Sequence, residues 1–302
     1  MQLVGDIGGT QARFALAEGG AVVTGSLRVL AGDDFARLDD ALLHYLAQMG
    51  RPRLAAVCLA VAGPVTGGTA RLTNRDWSVT ESGLRMLAGT DRALLVNDLL
   101  ALGAGAASAH VMPLRAGTAS GGQSLVVNAG TGFNICPVLR QNGGLACLEA
   151  EAGHIALPAP VARDLAAAVG AGAAAFHSNE TLFSGQGLAA LYRAMHGAPV
   201  PTPAEIARAA DAPARAAMDL ATRLFGRLLR ELALAHLPRA GIYLAGSVAR
   251  ALAGHDRAAL LAGFLHEPLF RDIPEAIPLA VIDDQGAALA GCAHLLAARV
   301  SC

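Results

Sequence analysis

The most informative absence in this sequence is that of lysine. None of the 302 residues is lysine, so all 23 residues of the Lys and Arg total are arginine. This absence excludes the P-loop lysine, the lysine of the protein-kinase strand and any lysine that forms a Schiff base. Phosphate chemistry in this chain must therefore rely on backbone N–H groups, hydroxyl groups and a metal ion.

Cysteine is scarce, and its spacing excludes two common uses. The five cysteines are odd in number and form no C-x-x-C pair, so the sequence predicts neither a disulfide framework nor a structural zinc site. A reducing cytoplasm is therefore the expected location. No cationic region precedes an apolar one near the start, so we expect no signal peptide. The longest apolar stretch, residues 54–62, is too short to span a bilayer.

The chain also lacks an excess of charge of either sign. Its net charge is −1, and 16% of the residues are charged while 54% are hydrophobic. This composition is typical of a globular protein and gives no basic surface for nucleic acid, so we expect small molecules as partners. The length exceeds that of one usual compact core, which favours two domains with a ligand site in a cleft between them.

One pattern occurs twice along the chain: a short strand, a turn of glycine and threonine, and a second strand. The first copy spans residues 3–17 around Gly8-Gly9-Thr10, and the second spans residues 125–138 around Gly130-Thr131-Gly132. A repeat of this kind predicts two domains of related build.

Strands and helices alternate in the rest of the sequence, which predicts α/β layers. Buried strands are predicted at residues 54–61, 93–96, 241–245 and 279–282, and helices from Pro203, over residues 214–236 and from Gln285 to about Arg299.

The first turn contains the parts of a phosphate site. Its glycines let the backbone approach a phosphate, Thr10 adds a hydroxyl, and Asp6 can hold the waters of a bound magnesium ion. An ordinary hairpin, whose glycines supply positive φ, is the alternative interpretation. The acid before the turn and the second copy, Gly130-Thr131-Gly132, favour the phosphate site. The second copy lacks the third glycine and the helix of a dinucleotide fingerprint.

Asn97 and Asp98 lie where a predicted strand meets a helix. An aspartate at this position can accept the proton of an attacking hydroxyl while the neighbouring asparagine binds the same substrate. The alternative interpretation is that Asp98 only caps the helix.

Further polar residues suit the binding of a polyol or a nucleoside. Glu151 and His154 are separated by two small residues, so both can reach the hydroxyls of one polyol. A surface turn is the alternative, since Glu149 lies close by. Glu180 stands ahead of a predicted helix start and by itself resembles a surface acid. Gly246, after a buried strand, suits either a helix start or close approach to a nucleoside.

Taken together, these motifs resemble the bacterial glucokinase family, within the hexokinase, Hsp70 and actin-like superfamily. No single segment is specific, but their order along nearly the whole chain is. The matching segments are Asp6-Ile7-Gly8-Gly9-Thr10-Gln11-Ala12-Arg13, Ala62-Gly63-Pro64-Val65, Thr73-Asn74-Arg75-Asp76-Trp77, Asn97-Asp98, Gly130-Thr131-Gly132, Glu151-Ala152-Gly153-His154, Glu180 with Ser184-Gly185, and Leu244-Ala245-Gly246.

The resemblance implies an α/β protein with the two-domain actin-like (ribonuclease H-like) ATPase fold and a central interdomain cleft. The expected small domain consists of residues 1–107 plus 286–302, and the expected large domain of residues 108–285. A homodimer without nucleic acid or membrane partners is also expected.

The resemblance further implies ATP-dependent phosphorylation of glucose at the 6-hydroxyl, with Asp98 as the catalytic base and Mg²⁺ held by Asp6 through water. The residues expected to bind the sugar are Asn97, Asp98, Glu151, His154 and Glu180. The residues expected to bind ATP are Asp6, Gly8, Gly9, Thr10, Gly130, Thr131, Gly132 and Gly246.

Three residues depart from the family's pattern, because Asn134, Ala152 and Ser247 stand where glycine is common. These departures leave nucleotide affinity and sugar range open. A kinase for fructose, mannose or an amino sugar and a catalytically weak sugar sensor are the alternative functions. Polyphosphate and ADP are alternative phosphoryl donors. No helix-turn-helix with a basic face is visible, which argues against direct DNA binding.

Overall fold

The computed structural model describes residues 1–72, 75–141 and 144–298. Thr73 and Asn74 of the resemblance, and Arg299 at the expected end of the last helix, lie outside these residues. The chain divides into two compact units. Unit 1 comprises Met1–His110, Gln141–Cys147 and Asp284–Cys302, and unit 2 comprises Val111–Arg140 and Leu148–Asp283. The domain boundaries expected from the sequence stay a prediction.

The described residues form strands, α-helices and two short 3₁₀ segments, Gly32–Asp34 and Gly170–Ala175. The strands are β1 (Gln2–Ile7), β2 (Gln11–Glu18), β3 (Ala21–Val22), β4 (Arg28–Ala31), β5 (Ala56–Val61), β6 (Val65–Thr66), β7 (Thr69–Arg71), β8 (Ser78–Thr80), β9 (Ala93–Asn97), β10 (Val111–Arg115), β11 (Gln123–Ala129), β12 (Phe133–Gln141), β13 (Gly144–Cys147), β14 (Gly241–Ala245) and β15 (Leu279–Ile282). The helices are α1 (Leu38–Gln48), α2 (Glu81–Ala88), α3 (Asp98–Gly105), α4 (Ala159–Val169), α5 (Asn179–Phe183), α6 (Gly185–His196), α7 (Pro203–Ala207), α8 (Ala212–His236), α9 (Ser247–His255), α10 (Arg257–Phe264), α11 (Asp272–Ala276) and α12 (Ala287–Ala298).

The main sheet of unit 1 combines a hairpin with parallel strands. Its strand order is β3-β2-β1-β5-β9, and β4 pairs with β2. Strands β1 and β2 are antiparallel, as the first repeat predicts, whereas β1, β5 and β9 run parallel. Ile7, Val61 and Asn97 lie level with one another across these three strands. The segments that follow them therefore begin at one edge of the sheet.

Both faces of this sheet are buried, as is usual for parallel strands. Along β5, Val57, Leu59 and Val61 belong to a core that includes the buried residues of α1 and α2. The alternate residues Ala56, Cys58 and Ala60 belong to a second core formed with α12 and α3. The continuous apolar run in the sequence is thus explained by helices on both faces.

Unit 2 contains a second sheet, whose strands there follow the order β10-β15-β14-β11-β12. Strands β11 and β12 are antiparallel around the second glycine turn, while β11, β14 and β15 are parallel. The principal core of the unit includes buried residues of the 25-residue helix α8. The repeat of strand, turn and strand is therefore confirmed in the described structure, once in each unit.

Most predicted elements occur with small shifts at their ends. The strand expected at residues 54–61 begins at Ala56, the helix expected at 214–236 begins at Ala212, and the last helix begins at Ala287. The sequence predicts Glu180 ahead of a helix, but Glu180 lies in the first turn of α5, because Ser178 caps that helix. None of the helices in the described ranges combines the length and apolarity that crossing a bilayer requires.

Helices α3 and α12 approach each other closely in unit 1 because glycines lie between them. A Cβ atom added at Gly291 would collide with the carbonyl oxygen of Ala101, and one added at Gly105 would collide with that of Ala287. This contact fixes α3, whose first residue is Asp98. The two glycines are therefore required by the packing of the backbones.

The replacement Gly291→Ala should push α3 and α12 apart. We expect it to lower the free energy of unfolding by about 2–3 kcal/mol, as overpacked cores do. The matched control is Gly254→Ala in α9, where nothing lies within 4 Å of the added Cβ atom. The control should raise stability by up to about 1 kcal/mol, because alanine favours a helix. Urea unfolding measures both, and equal effects of the two replacements would contradict the packing argument.

Candidate active site

The first glycine turn connects β1 and β2 in unit 1. The Gly8 N–H donates to the Gln11 carbonyl at 2.9 Å and closes the turn. The Gly9 carbonyl accepts a hydrogen bond from Arg75 Nε at 3.0 Å. Gly8 does not have a positive φ, so the turn does not need a glycine there to adopt a left-handed conformation. The alternative interpretation as an ordinary hairpin therefore does not hold. The small residue leaves the backbone accessible instead.

Asp6 lies just before this turn and forms an ion pair. It stands opposite Arg13 in the antiparallel register, and Arg13 Nη1 is 3.0 Å from Asp6 Oδ2. Burial raises the pKa of Asp6, and the hydrogen bond and charge of Arg13 oppose this rise. Burial therefore disfavours the charged form of the Asp6 carboxylate, and Arg13 compensates for part of this cost, as is common for a buried acid.

Asn97 and Asp98 occupy different positions at the start of α3. Asn97 is the N-cap of α3, and its Oδ1 accepts from the Leu99 N–H at 2.9 Å. Its Nδ2 donates to the Gly63 carbonyl at 3.1 Å. Asp98 is the first residue of the helix, and its Oδ1 also accepts from the Leu99 N–H at 2.9 Å. The alternative in which Asp98 is the helix cap is wrong, because Asn97 occupies that position.

The pKa of Asp98 is raised from 3.8 to about 6. Burial is the largest cause, and the negative charge of Asp6 is the second. The hydrogen bonds from Leu99 and Asn97 lower the pKa and only partly compensate. A carboxylate with a pKa near 6 is charged at neutral pH but accepts a proton more readily than an ordinary aspartate does. Unit 1 thus brings two of the expected site residues, Asp6 and Asp98, within electrostatic reach of each other.

In unit 2, the second glycine turn lies against the turn at Gly246. The Gly130 N–H donates to the Gly132 carbonyl at 2.9 Å, and the Gly130 carbonyl accepts from the Gly185 N–H at 2.8 Å. Gly246 has a φ of 89°, and a Cβ atom there would clash with the Ala129 carbonyl. Because β11 and β14 are parallel neighbours, both turns begin at the same sheet edge.

A cavity of about 300 Å³ opens beside these turns, entirely within unit 2. Its walls include Thr131 of the turn, Gln186 of α6, Pro203 of α7, and Ser247 and Val248 of α9. Helix α9 begins at Ser247, so the backbone N–H groups of its first turn suit an anion. A mostly apolar cavity beside such a helix start suits a nucleoside that carries phosphates.

The expected sugar-binding residues of unit 2 form one hydrogen-bonded loop with α5. The His154 N–H donates to the Glu151 carbonyl at 3.2 Å, and the Glu180 N–H donates to the Gly153 carbonyl at 2.9 Å. Glu180 Oε2 accepts from the Phe133 N–H at 3.0 Å. A Cβ atom at Gly132 would lie only 2.7 Å from the same oxygen. Gly132 therefore leaves space for the carboxylate of Glu180.

Sequence reasoning missed three residues that contact the expected site residues or form a wall of the cavity within their own unit. The hydrogen bond of Arg75 to Gly9 has no local signal, because 66 residues separate the two. The capping box at Thr202 and Glu205 did predict helix α7, but not that Pro203 forms a cavity wall. In the sequence, Asn134 is visible only as a departure from the family's pattern, although its side chain bonds to Glu151.

Comparisons with known proteins give the family and the fold of this chain. A family model for Glucokinase matches residues 3–299. A glucokinase of Saccharophagus degradans is 32% identical over an alignment that covers 97% of this chain and 97% of that one. The crystal structure of a glucokinase from an Antarctic psychrotroph superposes with a TM-score of 0.86 at 27% identity, covering 97% of this chain and 98% of that one. A ROK family glucokinase from Streptomyces griseus, solved with glucose and AMPPNP, has a TM-score of 0.60 at 19% identity, covering 97% and 98%.

The fold and the family match define an enzyme of the sugar kinase class, with the two-domain actin-like fold. The chain belongs to the glucokinase family, whose model covers nearly all of it. The resemblance seen in the motifs is thereby confirmed. The fold expected from it is confirmed as well.

The raised pKa of Asp98 predicts a cost in stability above pH 6. The folded protein holds this proton more tightly than the unfolded chain does, so stability falls as the pH rises from 3.8 to about 6. Asp98→Asn keeps the shape and the oxygen that accepts from Leu99. We expect it to raise the free energy of unfolding by about 2 kcal/mol at about pH 7.5, and by progressively less toward about pH 4.

Urea unfolding at several pH values measures this difference. The control Asp91→Asn makes the same charge change at an exposed position of the same unit and should show no such gain. An Asp98→Asn variant that is no more stable than the unsubstituted protein at any pH would contradict the prediction.

Proposed function

We propose that this protein transfers the terminal phosphoryl group of ATP to the 6-hydroxyl of glucose, with Asp98 as the general base. The observation that carries the proposal is the position of Asp98 at the start of α3, with a pKa raised to about 6. Membership of the glucokinase family supports the substrate class. A base of this pKa can accept the hydroxyl proton as the oxygen attacks the phosphorus.

Sugar binding is assigned to Asn97, Glu151, His154 and Glu180, together with Asp98. Glu151 and His154 have exposed side chains, and carboxylates and imidazoles are strong partners for sugar hydroxyls. Glu180 is oriented by the Phe133 N–H. The Streptomyces griseus relative with bound glucose supports glucose as the substrate to test first.

Nucleotide binding is assigned to both glycine turns and to the cavity of unit 2. The residues are Asp6, Gly8, Gly9, Thr10, Gly130, Thr131, Gly132 and Gly246. The chain has no lysine, and backbone N–H groups, the N-terminus of α9 and the threonine hydroxyls would bind the phosphates. The cavity of about 300 Å³ has room for an adenine base, and the AMPPNP complex of the relative supports ATP as the donor.

The chain fits a magnesium ion bound mainly by water and phosphate. In the described ranges, no three His, Cys, Asp or Glu side chains group as a metal site. Mg²⁺ needs only one or two carboxylates beside phosphates, and the buried, mutually repelling Asp6 and Asp98 favour a nearby cation. Asp6 would hold the ion through water. Bound there, the ion would neutralise charge on the transferred phosphoryl group.

Asp98→Asn should lower kcat by a factor of roughly 100 to 10,000, the usual contribution of a general base. The KM for glucose should change by only about threefold, because an amide still accepts a hydrogen bond from the sugar. Steady-state phosphorylation assays measure both constants. Unimpaired turnover in Asp98→Asn, with the control Asp91→Asn also unimpaired, would refute the role of Asp98.

The pH profile gives an independent prediction. The base must be deprotonated to act, so kcat/KM for glucose should fall about tenfold per pH unit below about 6. Asp6→Asn removes the negative charge that raises the pKa of Asp98, and should move this fall to lower pH. Assays from about pH 5 to 8 check the shift. An unchanged profile in Asp6→Asn would contradict the electrostatic coupling of the two acids.

The sugar assignment has a matched pair of variants. Glu151→Gln should raise the KM for glucose roughly tenfold, since hydrogen bonds to charged groups contribute most to binding. Glu149→Gln makes the same change two residues away, at an exposed position, and should have no effect.

Assays with fructose, mannose and amino sugars, and with polyphosphate and ADP, rank the alternative substrates and donors. The homodimer stays a prediction, which light scattering checks.

A further inference from the structure

Asn134 has an unusually complete set of hydrogen bonds. It lies in β12, one residue after Phe133 and two after Gly132. Its Nδ2 donates to the Ala150 carbonyl at 2.6 Å and to Glu151 Oε2 at 3.2 Å. Its Oδ1 accepts from the Ile135 N–H at 2.8 Å and from the Ala152 N–H at 3.0 Å. Both donors and both acceptor positions of the amide are therefore used.

These bonds restrain the segment around Glu151 at three points. The carbonyl of the residue before it, the N–H of the residue after it and one oxygen of its own carboxylate all bond to Asn134. The bond from Asn134 occupies Oε2, and Glu151 as a whole is exposed to solvent. A loop that ends in an exposed carboxylate is thereby given one orientation before any ligand binds.

Ala152 contributes to the same arrangement. Its side chain is 5% exposed and belongs to the core of unit 2. Its N–H bonds to Asn134, so two of the three departures from the family's pattern touch each other. Alanine also restricts the backbone more than glycine does. The two residues together keep the loop at Glu151 in place.

We infer that Asn134 is a positioning residue that orients the carboxylate of Glu151 for the sugar substrate. This inference rests on the proposed sugar-binding role of Glu151. The strand end that follows the second glycine turn thus orients two acids, since the Phe133 N–H bonds to Glu180 Oε2 in the same unit. A preorganised acid binds a sugar more tightly, because less freedom is lost on binding.

Asn134→Asp is the sharpest test, because it preserves the shape and changes one donor group into an acceptor. The new oxygen would face the Ala150 carbonyl and the Glu151 carboxylate, and would repel both. We expect the KM for glucose to rise roughly tenfold while the KM for ATP stays within about twofold. Asn134→Ala, which removes the bonds without repulsion, should raise the KM for glucose by a smaller factor. Thermal unfolding of both variants checks that they fold.

The double variant Asn134→Asp with Glu151→Gln separates positioning from general damage. If Asn134 acts through the Glu151 carboxylate, the second change should add less than about twofold to the KM for glucose of Glu151→Gln alone. The inference would be overturned if the effects of the two changes on the KM for glucose were fully additive. It would also be overturned if Glu151→Gln raised this KM and Asn134→Asp did not. In both cases the proposed sugar-binding role of Glu151 would stand. If Glu151→Gln also leaves the KM unchanged, the proposed sugar role of Glu151 fails, and the inference fails with it.

Discussion

The register of the parallel strands is the constraint on which the candidate site depends. Ile7, Val61 and Asn97 are level across β1, β5 and β9, so the first glycine turn, the Ala62-Gly63 segment and Asp98 all start at one edge. The bond from Asn97 Nδ2 to the Gly63 carbonyl joins two of these segments. In unit 2, the pairing of Asn128 with Ala245 brings the turns at Gly130 and Gly246 together. A shift of one residue in either sheet would turn these side chains to the other face.

The absence of lysine makes the electrostatics of the site depend on burial and on few charges. Arg13 compensates Asp6, whereas Asp98 has no ion pair of this kind within residues 1–72, 75–141 and 144–298. The pKa of Asp98 rises because of burial and because of the charge of Asp6. A nearby flexible ammonium group would lower that pKa and make Asp98 a weaker proton acceptor. In the function proposed above, anion binding would rely on fixed dipoles at the glycine turns and at the start of α9, which are oriented before a phosphate arrives.

The sequence sufficed for the α/β class, the two hairpins and the strands that lead to Asp98 and Gly246, because these features depend on local apolar runs and on glycine. It also placed the start of α7, since the capping box is a local signal. It did not reveal the contact of Arg75 with Gly9 or the wall at Pro203, because both join residues that are distant along the chain. It left Asp98 open between base and helix cap, and only the geometry assigns the cap to Asn97.

Residues that depart from a family's pattern are best interpreted together when they contact each other in the structure. Taken singly in the sequence, Asn134 and Ala152 each leave the function of a glycine-rich motif open. In the structure, the amide of Asn134 bonds to the backbone N–H of Ala152, and the methyl group of Ala152 is buried in the core beneath the loop. Each residue supplies a constraint that glycine lacks, one by hydrogen bonds and the other by packing. Because both act on the segment that carries Glu151, they amount to one change in how rigidly this chain holds that carboxylate. Under the proposed sugar-binding role of Glu151, such a change would alter the affinity for the sugar and leave the reacting groups as they are.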